Sequence, residues 1–163
     1  MLFRSLGFIP KILLRKTGNS IIATYDDSGI FPEQSLYFLY NPIKNISYKY
    51  LLGLMNSKLI NFYFANKLLT NKESIAQVKK EDLDIIPILF DVKMGIEFKM
   101  YYEKIETLVN NILQLKINCN IAKTPTEKTA LQRQIDATDK QIDKLVYELY
   151  GITEEEIKVV EGE

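Results

Sequence analysis

The chain has 163 residues, 47% apolar and 26% charged, with 21 basic side chains balancing 21 acidic ones. That is an ordinary globular composition, long enough to bury a core as one domain or one domain with a helical appendage. There is no histidine and a single cysteine, Cys119, which excludes histidine-based catalytic triads, internal disulfides and zinc sites built on Cys or His.

The neutral total hides an asymmetry. Residues 1–95 carry 12 Lys/Arg against 8 Asp/Glu, a net of +4, and residues 96–163 carry 9 against 13, a net of −4. Arg4, Lys11, Arg15 and Lys16 all precede the first acid, Asp26. A basic front half suits a polyanionic partner; ordinary surface charge is the alternative. The opening residues are apolar but broken by Arg4, Pro10 and Lys11, so no signal peptide is expected. No run approaches the ~18 apolar residues of a membrane span. No membrane association and a cytoplasmic location are the expectation.

In chain order, Lys11–Arg15 is a short apolar run ended by Thr17-Gly18-Asn19. The β-branched and aromatic run Ser20–Tyr25 follows, ended by Asp26-Asp27-Ser28-Gly29. These read as two strands joined by a tight turn, with Asn and Gly free to take positive φ. Ser35–Tyr40 has the length and composition of a third strand. The period then changes. From Ser47 to about Asn66, apolar residues at Tyr50, Leu51, Leu54, Leu59, Phe62 and Tyr63 mark a helix. Asn56-Ser57 interrupts it with two poor helix formers, so either one helix runs through or two short ones meet there. Residues 67–77 read as a polar loop, and Ile85–Phe90, with Pro87, as an extended segment at an edge or strand exit.

Two heptad series fill the last third: Phe98, Tyr101, Ile105, Leu108, Ile112, Leu115, Cys119, and Leu131, Ile135, Thr138, Ile142, Leu145, Leu149, Ile152. Such stripes wind one helix around another. Between them, Thr124 as N-cap, Pro125 at the first helical position and Glu127 form a capping box, so the second helix starts near Pro125. Gly151 suits its stop, and Thr153 with Glu156 repeats the box for a last short helix. The fold class expected is α+β: a small, mainly antiparallel sheet with packed helices over residues 1–95, then a long antiparallel two-helix coiled-coil hairpin with a short C-terminal helix over residues 96–163.

Catalytic candidates are sparse. There is no Gly-rich phosphate loop. Asn41-Pro42-Ile43-Lys44 lacks the second proline and the aromatic residue of the Asn-Pro-Pro-Tyr loop of amino-methyltransferases, and reads as a turn. Asp26-Asp27 and Glu81-Asp82 are paired carboxylates of a kind that can hold Mg²⁺, but each sits where acids are common in turns and helix starts. No metal site and no catalytic residue are assigned. Lys11, Arg15, Lys16, Thr17, Asn19 and Ser20 cluster on one hairpin, as phosphate and base-edge donors would. Lys79 and Lys80 would join them if the fold brings them alongside. Tyr25, Tyr37 and Tyr40 fit sheet packing.

Several segments carry a resemblance. Pro10-Lys11-Ile12-Leu13-Leu14-Arg15-Lys16-Thr17-Gly18 with Ile22–Asp26, then Tyr50-Leu51-Leu52-Gly53-Leu54-Met55-Asn56-Ser57-Lys58-Leu59 with Phe62-Tyr63-Phe64, the exit segment Lys80–Ile88, and the tail Ile135–Val160 resemble, in that order, the C-terminal specificity domain of TaqI-like and Eco57I-like restriction–modification enzymes. Recognition halves of type I specificity subunits are similar in part. The resemblance implies a domain that grips double-stranded DNA and selects its target, non-catalytic by itself. It also implies a methyltransferase domain or subunit as partner. In the parent enzyme S-adenosylmethionine, and in some members Mg²⁺ for a nuclease, would be the cofactors, none of them held by this chain. The alternative is a protein-interaction module that dimerises or docks through the heptad helices. A stand-alone nuclease using Asp26 or Glu81 is a third reading.

Overall fold

The computed structural model describes residues 9–31, 34–40, 46–68, 77–91, 93 and 95–163. Asn41–Lys44, Arg4 and most of the polar loop before Gln77 lie outside the described residues. The chain is α+β and divides into two compact units, Met1–Phe90 and Asp91–Glu163.

The first unit is built on a three-stranded antiparallel sheet in the order β2-β1-β3, with β1 Lys11–Arg15, β2 Ala23–Asp26 and β3 Leu36–Leu39. Leu14 of β1 faces Ala23 of β2 and Tyr37 of β3, and the neighbouring row is Thr24, Leu13 and Phe38. Strand side chains alternate between faces, but the central strand is buried on both, at every position from Lys11 to Leu14. Ile12, Leu14 and Ala23 are buried on one face, while Arg15, Thr24 and Phe38 are exposed on the other. The turn after β1 is wider than the tight one expected, because β2 begins only at Ala23.

Helix α1, Tyr48–Asn56, packs its buried Leu52, Leu54 and Met55 against β1 and β2. Ser47 caps it by accepting from the Tyr50 N–H at 3.0 Å. Two helices do meet at Ser57, which separates α1 from α2, Lys58–Tyr63, and a π-helical turn follows over Phe64–Leu68. The Ser57 hydroxyl donates to the Leu54 carbonyl at 2.7 Å and accepts from the Ile60 N–H at 3.4 Å, so it closes one helix and opens the next. The break has a use. The Asn56 amide accepts from the Ala23 N–H at 2.9 Å and donates to the Ala23 carbonyl at 3.0 Å. Asn61 Oδ1 accepts from the Ile21 N–H at 2.6 Å. Side chains on the helices thus satisfy the backbone at the edge of β2.

The short helix α3, Lys80–Asp84, precedes the extended segment after Ile85. That segment joins no ladder with the described strands; the buried Tyr50 anchors it by donating its hydroxyl to the Leu89 carbonyl at 2.8 Å.

The second unit is a hairpin of α4, Ile96–Ile121, and α5, Pro125–Tyr150, closed by α6, Glu154–Glu161. A three-residue connection makes α4 and α5 antiparallel neighbours, and they pack along their length. The Thr124 hydroxyl accepts from the Glu127 N–H at 3.2 Å. At Thr153 and Glu156 both arms of the capping box form. Gly151 stops α5 at φ 66°, a left-handed conformation that glycine adopts without a Cβ penalty. Tyr147 ties the last helix back by donating to Glu161 Oε1 at 2.8 Å. The buried row of α4 is Phe98, Tyr102, Ile105, Val109 and Ile112, so Tyr102 and Val109 replace the expected Tyr101 and Leu108.

Removing the Asn56 amide orphans both backbone groups of Ala23. Asn56→Ala is expected to cost about 1–3 kcal/mol in urea unfolding. Asn56→Asp keeps the acceptor but sets a carboxylate oxygen against the Ala23 carbonyl, and is expected to cost at least as much at neutral pH. A variant of wild-type stability in either case would contradict the two-bond clamp.

Candidate nucleic-acid interface

The basic hairpin residues separate into different roles once folded. Lys11 opens β1 and is 1% exposed. Its Nζ lies 2.6 Å from Asp26 Oδ2, its cross-strand partner. Asp26 also accepts from the Ser28 hydroxyl at 2.7 Å, the Ser28 N–H at 3.1 Å and the Ile30 N–H at 3.1 Å. Burial works to raise the Asp26 pKa, but the hydrogen bonds from Lys11 and Ser28 outweigh it and hold the carboxyl below the usual aspartate range. A lysine so enclosed does not reach a phosphate, so Lys11 belongs to the architecture of the sheet. Asp26 likewise has its oxygens engaged by Lys11, Ser28 and Ile30 and offers no open carboxylate.

Arg15, by contrast, is exposed at the end of β1. Its guanidinium lies against Gly18, where a Cβ would overlap it, and Gly18 has φ 127°. Glycine at 18 is therefore set by its backbone, while the exposed guanidinium end of Arg15 can swing aside from a Cβ. Lys16 is half-buried, with its Nζ 4.7 Å from the centre of the Tyr37 ring, within cation–π range. Thr17 and Asn19 are exposed and Ser20 is half-buried.

The fold also brings Lys79 and Lys80 alongside. The Val78 N–H donates to the Lys16 carbonyl at 2.8 Å, and Thr17 bridges Gln77. Val78 is buried, while Lys79 and Lys80 follow it into solvent. The exposed cations Arg15, Lys79 and Lys80 thus come from two segments far apart in sequence and meet at one end of the sheet. Asp82 accepts from the Lys79 N–H at 3.3 Å, the role of an acid in a first helical turn.

Tyr40, which as a tyrosine of the sheet fits packing, stands instead half out of it, together with Phe38. Phe38 is 38% and Tyr40 49% exposed, with ring centroids 5.7 Å apart and stacked. Ile22, 48% exposed, and Thr24, also exposed, lie on the far side of β1 from them. The period-two alternation of β3 was the available signal, since it sets Phe38 opposite in direction to Tyr37 and Leu39.

The first unit is thus a small sheet packed with helices, with exposed cations at the Arg15 end of β1 and the stacked Phe38–Tyr40 pair toward the Lys11 end; no catalytic constellation appears among the described residues. Residues 2–88 match the family described as the TaqI-like C-terminal specificity domain, and the chain belongs to that family. A protein of Methanocaldococcus jannaschii that carries the name of a type II restriction enzyme and methyltransferase is 31% identical over 91 residues, 55% of this chain. The matched stretch spans 8% of that protein's own length. Among the described residues no helix is long and apolar enough to cross a membrane.

The packing of these side chains sets two expectations. Asp26→Asn leaves Lys11 charged, buried and without its carboxylate, and is expected to lower stability by about 3–5 kcal/mol at neutral pH. Because the folded carboxyl titrates below its unfolded value of 3.8, its contribution is present above that pH and lost as acid protonates it. The wild type should therefore lose stability in acid more steeply than Asp26→Asn, as read from urea midpoints across pH. Gly18→Ala is expected to cost about 1–3 kcal/mol and to shift the NMR signal of the Arg15 Nε–H. Gly151→Ala, with open space around its Cβ position, should leave that signal unmoved.

Proposed function

We propose that this chain is the DNA-reading part of a restriction–modification enzyme and performs no chemistry itself. Methylation, with S-adenosylmethionine, and any Mg²⁺-dependent cleavage would belong to a methyltransferase domain or subunit of the same system. Membership in the TaqI-like specificity family supports the class of ligand. The observation that carries the placement is the backbone pairing of Lys16–Thr17 with Gln77–Val78, which joins Arg15 to Lys79 and Lys80. In this reading those three cations, with Lys16 beside them, neutralise phosphates of double-stranded DNA and set the register. Thr17, Asn19 and Ser20 offer hydrogen bonds to base edges. Phe38 and Tyr40 offer apolar surface of the kind that meets thymine methyl groups. Lys11 takes no part beyond holding β1 in place.

The test is the salt dependence of duplex binding by the whole chain, measured by fluorescence anisotropy. The triple variant Arg15→Ala, Lys79→Ala, Lys80→Ala is expected to reduce the slope of log K against log salt by about 0.9 for each phosphate that is no longer neutralised. Lys128→Ala and Lys158→Ala, exposed in the second unit, are expected to leave it unchanged. A triple variant with the wild-type slope would move the interface elsewhere.

A further inference from the structure

The α4–α5 hairpin carries more apolar surface than a two-helix seam uses. Ile105 and Ile112 on α4 and Ile135 and Ile142 on α5 are buried. A second row runs beside them and stays open. Met100 is 43% exposed, Ile96 93%, and Leu108, Leu115 and Leu145 are half-buried. A groove of about 1240 Å³ lies between the two helices from Ile96 to Leu108 and from Gln141 to Glu148. A smaller one of about 460 Å³, floored by Leu115 and Ala137, continues farther along the hairpin. A two-stranded coiled coil needs only its a and d positions, whereas a wider stripe belongs to helices that meet more than one neighbour.

The charges on the rim say what that neighbour is. On α4, Lys99 is followed one turn later by Glu103, 3.6 Å apart; on α5, Lys144 is followed by Glu148, 4.0 Å apart. The helices run in opposite directions, so Lys99 shares its end of the groove with Glu148, and Glu103 shares the next turn with Lys144. Each rim therefore alternates in sign, and the two rims alternate oppositely. Such a pattern complements itself. Turned face to face about a two-fold axis along the groove, Lys99 of one copy meets Glu148 of the other and Glu103 meets Lys144. With the axis across the groove, Lys99 meets Glu103 and Lys144 meets Glu148. Opposite charges meet in both arrangements. Lys104 also lines the groove and adds one positive charge. The mixed signs make the face a poor one for a polyanion and a good one for its own copy.

We infer that this face is a self-association surface, on which the hairpin of a second copy docks with two-fold symmetry to complete a four-helix bundle. The inference is independent of DNA binding, since it uses only residues of the second unit.

Sedimentation of the whole chain without DNA tests it. A monomer–dimer equilibrium in the micromolar range is expected. Met100→Glu with Leu145→Glu, the first exposed and the second half-buried in the groove wall, should weaken the dimer at least about tenfold while circular dichroism stays that of the wild type. The rim supplies a second, fold-neutral test. An all-basic variant (Glu103→Lys, Glu148→Lys) and an all-acidic one (Lys99→Glu, Lys144→Glu) should each sediment as monomers and form a heterodimer when mixed. A wild type that is monomeric throughout, a dimer indifferent to these changes, or charge variants that fail to pair on mixing would overturn the inference.

Discussion

A strand at the edge of a sheet presents backbone groups that must find partners wherever they are buried. In this protein the edge of β2 finds them in two asparagine side chains, Asn56 and Asn61. That one requirement organises the first unit. It fixes α1 and α2 against the sheet at a set height and explains why the helix is cut at Ser57. The Asn-Ser-Lys segment, which resembled a landmark of the specificity-domain family in the sequence, is thus a piece of backbone recognition inside the protein itself.

The second organising fact is the division of labour between neighbouring cations. Lys11 and Arg15 stand at the two ends of one strand and on the same face, yet one is enclosed and the other open. The difference lies in their partners. Lys11 meets Asp26 across the ladder, and Asp26 in turn holds the Ser28–Ile30 turn. Arg15 lies at the open end, where Gly18 leaves room for its guanidinium. A buried ion pair is weak evidence for added stability but costly to break on one side. Lys11 and Asp26 are therefore bound to each other across the ladder, and the exposed charge of the hairpin end is left to Arg15 and the lysines that Val78 brings up.

Most of the architecture could be read from the chain. The three strands announced themselves by composition, and the hairpin helices by heptads. The caps at Thr124, Gly151 and Thr153 fell where short-range chemistry put them, because a cap joins residues three or four apart. The period of β3 is legible too, and its alternation turns Tyr40 outward with Phe38 even though a tyrosine there fits packing. The candidate site was legible only in part. Which lysine is buried, and that Lys79 and Lys80 arrive beside Arg15, depends on pairings between distant segments that leave no periodic trace.

The sequence by itself determined the order of elements, the start and stop of the second long helix, the α+β class and the family resemblance, since each rests on local patterns of side chains a turn or a strand apart. Only the tertiary structure decided that Lys11 faces Asp26, that asparagines seal the edge of β2, and that the hairpin keeps a second apolar row uncovered. Those outcomes follow from which surfaces meet in space and which are left facing water, and that is a property of the packed chain.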